Sequence, residues 1–317
     1  MKTQRITSVD EAAAILRRGG LVAFPTETVF GLGVDATNDS AVQRLFAAKG
    51  RPSDNPLIAH VGEPASWNRA ASRLTPAARA LLGAFAPGPL TVVLPKYGDV
   101  SSLVTAGLET VGVRVPSHPV AAAILRAAGL PIAAPSANRS GRPSCTTWRS
   151  VLEDLDGRID AVFCEDGERV GIESTVVDCT GDAPIVLRPG AVTIEQIRRV
   201  VPNARDSDQA TGAQCEVRSP GLLHPHYQPK AEVVLVDSAD SIEAIDGSAA
   251  YCGIGGGRVE GAAFIALYAT VDEYAAGFYE LLREVDRRSL RTVYVQRAPP
   301  VGIGVALLDR QRRAAAK

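Results

Sequence analysis

Short apolar runs alternate with amphipathic stretches along the whole chain, and the polar residues between them mark where elements begin and end. S-V-D-E at 8–11 is a capping box, in which Ser8 accepts from an N–H at the helix start while Glu11 reaches back. The AAAILRR helix that follows stops at Gly19-Gly20, and LVAFP is the first buried strand. A second helix covers roughly 39–49, with Val42, Leu45 and Phe46 on one face. PLIAHV at 56–61 is another strand, and Thr75-Pro76 opens a third helix in the favoured cap-then-proline order. PLTVVLP, VGVRVP and PIAAPSAN follow as short apolar segments, with an alanine-rich helix over 119–128 between the last two. DAVFCEDG and ESTVVDC read as strands, another precedes Arg188, and VTIEQI begins a helix capped by Thr193 and Gln196. Several strands lie close enough in sequence to be antiparallel neighbours. The pattern therefore predicts a mixed α/β sheet rather than a regular parallel one.

The pattern changes over 203–230, where NARDSDQATGAQCEVRSPGLLHPHYQPK has few apolar anchors and several turn formers, as an interdomain segment would. Beyond it come VVLVD, a glycine-rich turn, AFIALYA, a helix over about 272–285, TVYVQ and a final helix. These predict a second, smaller α/β unit, and a division into 1–203, 204–230 and 231–317. GIGGG at 253–257 lacks both the G-x-G-x-x-G placement and the Walker ending, so it reads as a flexible loop rather than a phosphate cradle.

Composition narrows the function classes. The 317 residues are 46 % hydrophobic, enough for a sizeable core and two domains. With 34 Lys+Arg against 35 Asp+Glu there is no global basic field to signal a nucleic-acid surface. Cys145, Cys164, Cys179, Cys215 and Cys252 are odd in number, far apart and free of any C-x-x-C, which points to a reducing compartment without structural zinc. No secretory leader or membrane-length apolar run is seen, so a soluble cytoplasmic protein is expected.

The polar residues that stand out fall at the ends of the short strands. Lys49, Arg51, Ser53, Asn55 and His60 lie within one loop and the strand after it. Lys49 and Arg51 suit either a helix C-terminus or phosphate oxygens. His60, a lone strand histidine among apolar neighbours, is on its own more often a satisfied interior group. Arg114 inside VGVRVP is costly unless it meets an anion or lies on a solvent-facing edge strand. PSANRSGRPS at 135–144 is a dense set of hydroxyls and amides that can cradle phosphate or simply make turns. Ser174 and Thr175 precede a strand, and Arg188 follows one. Strand ends are where α/β folds carry ligands, and this set suits an anionic nucleotide with a small co-substrate. No serine elbow, Cys/His triad or H-E-x-x-H is present, so catalysis by orientation and charge neutralisation is expected.

PTETVFGLG, K-G-R-P-S-x-N-P-L, GVRVP, P-S-A-N-x-S-G, ESTVVD and LRPG, in this order, closely resemble the Sua5/YrdC family of L-threonylcarbamoyladenylate synthases. The resemblance runs over roughly residues 6–203. SPGLLHPHYQPK resembles the linker of the longer Sua5-type members, and 231–317 resembles their C-terminal domain. It implies a YrdC-like domain with a twisted mixed sheet and a concave ligand site, plus a smaller Rossmann-like α/β domain. The implied reaction, a nucleotidyl transfer, condenses L-threonine, bicarbonate and ATP, with Mg²⁺ accompanying the ATP, into threonylcarbamoyl-AMP and pyrophosphate. A separate transferase complex then carries the group to adenosine 37 of ANN-decoding tRNAs, so weak or no direct tRNA binding is implied. Thr28, His60, Arg114 and Ser174 are implied to hold threonine. Lys49, Arg51, Asn55, Ser136, Asn138, Ser144, Thr175 and Arg188 are implied to line the ATP and bicarbonate side, with Lys49 and Arg51 as the catalytic cations. Tyr227 is implied to fold over the mouth as part of a linker lid, and no protein metal ligands are implied. The chain departs from the family pattern at Phe30, usually tyrosine, at Leu222, usually methionine, and at Gln228, usually small. Two other classes compete: a carbamoyltransferase built on a related domain, and a module binding double-stranded RNA. The first lacks room here for its extra domains, and near-neutral charge counts against the second.

Overall fold

The computed structural model describes residues 2–166, 170–206, 226–242, 245, 247–256 and 259–316. Eleven strands among them form one sheet: β1 (Gln4–Ile6), β2 (Val22–Phe24), β3 (Gly31–Asp35), β4 (Ile58–His60), β5 (Leu90–Pro95), β6 (Thr110–Arg114), β7 (Ile132–Ala133), β8 (Ala161–Phe163), β9 (Thr175–Asp178), β10 (Ile185–Arg188) and β11 (Arg205–Asp206). Their spatial order is β1-β8-β2-β3-β7-β4-β6-β5-β9-β10-β11. Parallel pairs such as β4 with β6 and β5 with β9 sit beside antiparallel pairs such as β2 with β3 and β5 with β6. The sheet is mixed, as the strand spacing implies.

Six helices belong to this unit: α1 (Val9–Arg17), α2 (Asp39–Lys49), α3 (Pro76–Phe85), α4 (Pro119–Ala128), α5 (Trp148–Leu155) and α6 (Ile194–Val200). Their starts follow from local chemistry. Ser8 accepts from Glu11 N, Thr75 caps α3 ahead of Pro76, and Thr193 and Gln196 complete a reciprocal box on α6. Helix α2 ends where Gly50 takes a left-handed φ of 62°, which an L side chain would strain. Leu16, Phe24, Ile124 and Leu125 pack one hydrophobic cluster, and Leu32, Leu45, Val92, Val113 and Leu155 belong to the larger one.

The C-terminal unit is a four-stranded parallel sheet of β12 (Glu232–Val236), β13 (Ala249–Ile254), β14 (Phe264–Tyr268) and β15 (Thr292–Gln296), in the order β12-β15-β13-β14. Helices α7 (Val271–Arg287) and α8 (Ile303–Ala315) pack against it. Strand β13 takes in the first residues of GIGGG, so the loop reading holds only from Gly255, whose φ is 81°, and Gly257 lies outside the described residues. The large sheet also runs past the expected boundary at 203, because β11 pairs with β10.

The two units share a hydrophobic cluster. Val29 and Ile172 of the large unit pack with Tyr274, Phe278 and Leu282 of α7. At Gly171, with φ 80°, an added Cβ would lie 2.3 Å from the Ala276 Cα, so α7 passes directly over that backbone. The linker expected over 204–230 falls largely on 207–225, with Leu222 and Cys215, outside the described residues.

Candidate active site

The turn between β2 and β3 is built by its own threonines. Thr26 Oγ1 donates to the Val29 carbonyl at 2.6 Å, accepts from Thr28 N at 3.2 Å and lies 2.9 Å from Thr28 Oγ1. These bonds turn the Thr28 hydroxyl towards Arg114, whose Nη2 donates to it at 3.0 Å. Arg114 closes β6 and pairs in register with His60, the last residue of β4, so two parallel strands deliver both side chains at the same end. Arg114 is therefore not on an edge: β6 lies between β4 and β5, and the guanidinium is compensated by Glu27, 2.8 Å away. Glu27 is thus turned inward and not to solvent. Burial alone would raise its carboxyl, but the charge of Arg114 brings it below the ordinary value. Burial, and then Arg114, push His60 down to about 3, so its imidazole is neutral at neutral pH.

The cavity above these residues has a volume of about 70 Å³, well below the usual span of small-molecule sites. Thr28, His60, Arg114, Ser174, Arg51, Ser136, Asn138, Arg188 and Tyr227 all line it, so nine residues implied by the resemblance are brought together. Phe30, at the family's tyrosine position, lines it too. Arg51 donates to the carbonyls of Asn55 and Pro56, and burial pushes its guanidinium down to about 10. Arg188 donates to the Ser174 carbonyl at 2.9 Å and to Ser174 Oγ at 3.2 Å. The Asn138 amide nitrogen is spent on the carbonyls of Arg139 and Arg142, while its Oδ1 has no hydrogen-bond partner among the described residues.

Four implied residues stand outside the lining. Lys49 is buried with its ammonium donating to the carbonyls of Ser136 and Asn138, so it holds the wall from behind instead of facing the cavity. Burial, then the charge of Arg51, lower it to about 7. Asn55 lies behind Arg51, its amide 3.5 Å from His226 Nε2. Ser144 donates to Glu173 Oε1 at 2.7 Å. Thr175 donates to the Val192 carbonyl at 2.7 Å and accepts from Val192 N at 3.1 Å. Lys49 and Thr175 are engaged by backbone groups, and Asn55 and Ser144 by His226 and Glu173, which themselves line the cavity.

Thr26 lines the cavity beside Thr28, and so do Glu173 and His226, which the sequence reading missed. Glu173 stands beside Ser174 in the E-S-T motif and His226 beside Tyr227 in H-x-H-Y, so position next to a chosen residue was the available signal. Glu173 accepts from Ser144, from the Tyr279 hydroxyl at 2.9 Å and from Arg310 Nε at 3.1 Å, the last two on α7 and α8. Tyr227, with a φ of 67°, packs its ring 5.1 Å from that of Tyr279. Gln228 N donates to the Gly141 carbonyl, and its side-chain amide to the Ala316 carbonyl. Within the lining, Arg114 lies against the Thr28 hydroxyl and shares its strand end with His60, while Arg188 lies against Ser174 and Arg51 against the Asn55–Pro56 backbone.

Comparisons with known proteins agree over nearly the full length. Residues 14–190 match the Sua5–YciO–YrdC family, described as telomere recombination, and residues 192–316 match the C-terminal domain of threonylcarbamoyl-AMP synthase. The threonylcarbamoyl-AMP synthase of Bacillus subtilis is 40 % identical, over 97 % of this chain and 92 % of the relative. That of Pyrococcus abyssi is 39 % identical, over 96 % and 92 %. The crystal structure of P. abyssi Sua5 complexed with L-threonine superposes with a TM-score of 0.90 at 35 % identity, covering 99 % of this chain and 98 % of that one. The chain belongs to the Sua5/YrdC family of threonylcarbamoyl-AMP synthases, in the long form that carries the C-terminal domain.

Proposed function

We propose that this chain condenses L-threonine, bicarbonate and ATP into threonylcarbamoyl-AMP, releasing pyrophosphate and water, as the first step of threonylcarbamoyladenosine formation in tRNA. The observation that carries this reading is one cavity lined by the Thr28 hydroxyl, the His60 imidazole and three arginines, in a chain so close to a structure solved with L-threonine.

Thr28 and Arg114 suit the amino-acid end, Arg114 taking the carboxylate. The threonine amine attacks bicarbonate to give a carbamate with loss of water, and the carbamate oxygen attacks the α-phosphorus as pyrophosphate leaves. His60 and His226, held neutral with values near 3, are weak bases, so bicarbonate or phosphate oxygens are better placed to take the amine proton. Arg51 and Arg188 stabilise the charge that develops on the phosphates, fixed beforehand by the carbonyls they donate to. Lys49 acts through the Ser136 and Asn138 carbonyls that it holds. Mg²⁺ would accompany the ATP substrate and help to neutralise its phosphate charge. Glu173, the one carboxylate in the described lining, is already engaged by Arg310, Tyr279 and Ser144. Tyr227 and His226 cover the mouth and keep water from the labile carbamate.

In this reading residues 1–206, through β11, are the catalytic unit, the segment from there to 230 the lid and 231–317 the C-terminal unit. The product passes to a tRNA transferase complex in the cytoplasm, where the free thiols of Cys145, Cys164, Cys179 and Cys252 are at home. No helix among the described residues is long and apolar enough to cross a membrane.

The test is pyrophosphate release by the purified protein from ATP with Mg²⁺, with and without bicarbonate, comparing L-threonine, L-serine and no amino acid. Release that needs both bicarbonate and L-threonine is expected. Release that ignores the amino acid, or none in the presence of bound nucleotide, would remove the synthase reading.

A further inference from the structure

Thr91 stands behind the cavity wall and is not among the residues that line it. It lies on β5, between β6 and β9, and is fully buried. Its Cα pairs with Arg114 on one side and with Val176 on the other, so the backbone is fixed from both edges. Its methyl points to Gly112 of β6, where an added Cβ would lie 3.1 Å from Thr91 Cγ2. A β-branched side chain held in this way keeps one rotamer. Its hydroxyl then lies 2.8 Å from the hydroxyl of Ser174, which does line the cavity.

The contact between these two oxygens has a direction. A hydroxyl carries one proton and two acceptor positions. Among the described residues Ser174 Oγ is the only hydrogen-bond partner of the Thr91 hydroxyl, which has no exposed surface. If Ser174 donated, the Thr91 proton would be buried without an acceptor, a cost that the reverse arrangement avoids. Thr91 is therefore the donor. Arg188 Nη2, which can only donate, fills the second acceptor position of Ser174 Oγ at 3.2 Å. Both acceptor positions are then taken, and the Ser174 proton has one direction left, into the cavity.

We infer that Thr91 is a positioning residue that makes Ser174 a one-way donor. The Ser174 hydroxyl meets an anionic oxygen of a substrate, whether carboxylate, bicarbonate or phosphate. It turns away the threonine ammonium, which also can only donate. The inference rests on the functional reading above and adds to it a residue outside the lining and an orientation rule for the substrates.

The experiment is a double-mutant cycle of Thr91→Val, which keeps the shape, and Ser174→Ala. It is read on kcat/KM for pyrophosphate release and, without turnover, on stabilisation against thermal unfolding by L-threonine and by ATP. With Ser174 present, Thr91→Val is expected to lower kcat/KM about three- to tenfold, the worth of one ordinary hydrogen bond. With Ser174→Ala in place it should change nothing further, because Thr91 then has no hydroxyl to orient. Thr91→Ser keeps the donor and should restore the wild-type rate. The substrate whose apparent affinity falls identifies the oxygen: L-threonine for a carboxylate, ATP for a phosphate, and bicarbonate where only its KM rises. An unchanged rate in Thr91→Val would overturn the inference, and so would an equal loss in both backgrounds, which marks a packing role. A wild-type protein that releases no pyrophosphate would remove the functional reading, while the two stabilisation series would still decide whether Thr91 acts through Ser174.

Discussion

At the scale of single residues, Thr28 and Thr175 show what a sequence can and cannot distinguish. Both are hydroxyls at the ends of apolar strands, and the family resemblance puts both in one pocket. In the structure both are fully buried, but Thr28 lines the cavity and faces Arg114, while Thr175 exchanges two hydrogen bonds with Val192. The near-isosteric Thr28→Val keeps the packing but loses a bond to a charged donor, worth about 1.5–3 kcal/mol. The threonine KM is expected to rise by about ten- to a hundredfold, read from pyrophosphate release, with the ATP KM little changed. Thr175→Val instead leaves the N–H and carbonyl of Val192 buried without their partner. It is expected to cost about 1–3 kcal/mol of stability in denaturant unfolding, with the threonine KM near the wild-type value. The reverse pattern would mean that Thr175, not Thr28, meets the substrate. Lys49 and Ser144 belong with Thr175: their chemistry was legible, but the direction of each side chain depends on carbonyls and carboxylates far away in the chain.

Elements were more legible than side-chain directions. Ser8, Thr75 and Thr193 mark helix starts because a cap is a local exchange between a hydroxyl and an N–H a few residues on. The long apolar strands β5 and β6 stand out for the same local reason. The edge strands β1 and β11 escaped because they are short and polar outside the sheet, and α5 because its first turn looks like the end of the preceding loop. Strand β13 escaped because Gly253 and its neighbours were taken with the loop after them. The edge position considered for Arg114 failed because strand order is a long-range property. One element-level constraint is sharp. The glycine of LRPG, Gly190, passes so close to the turn before β9 that a Cβ there would lie 2.3 Å from Thr175 N and 2.7 Å from the Glu173 carbonyl oxygen. All three nearest atoms are backbone, so no rotamer change relieves the clash. Gly190→Ala should therefore cost about 1–3 kcal/mol and move Ser174 and Glu173 together. Thermal unfolding and pyrophosphate release should fall in parallel. A variant with wild-type stability and rate would show that the two turns are not in contact.

At the scale of the molecule, the C-terminal unit is part of the wall of the site. Helix α7 sends Arg283 to Asp154 at 3.0 Å and to the Pro143 carbonyl at 2.6 Å, and Tyr279 to Glu173. Helix α8 sends Arg310 to Glu173 and to the Pro189 carbonyl. Glu173 thus ties the cavity to both C-terminal helices, and its ionisation should be visible in the stability of the whole chain. Burial alone would raise its carboxyl, but Arg310 first and Arg188 next bring it down to about 2 from the ordinary 4.5. A carboxylate depressed in this way contributes stability that is fully present above pH 4.5 and is lost as the pH falls through about 2, because the unfolded chain takes up the proton first. The contribution is on the order of 3 kcal/mol. Glu173→Gln should be less stable than the wild type at neutral pH, since Arg310 is then buried without its charge partner. Its unfolding midpoint should also vary less between pH 4.5 and 2, so that the two curves converge in acid. Parallel curves through that window would mean that the carboxylate charge of Glu173 does not hold the C-terminal helices to the site.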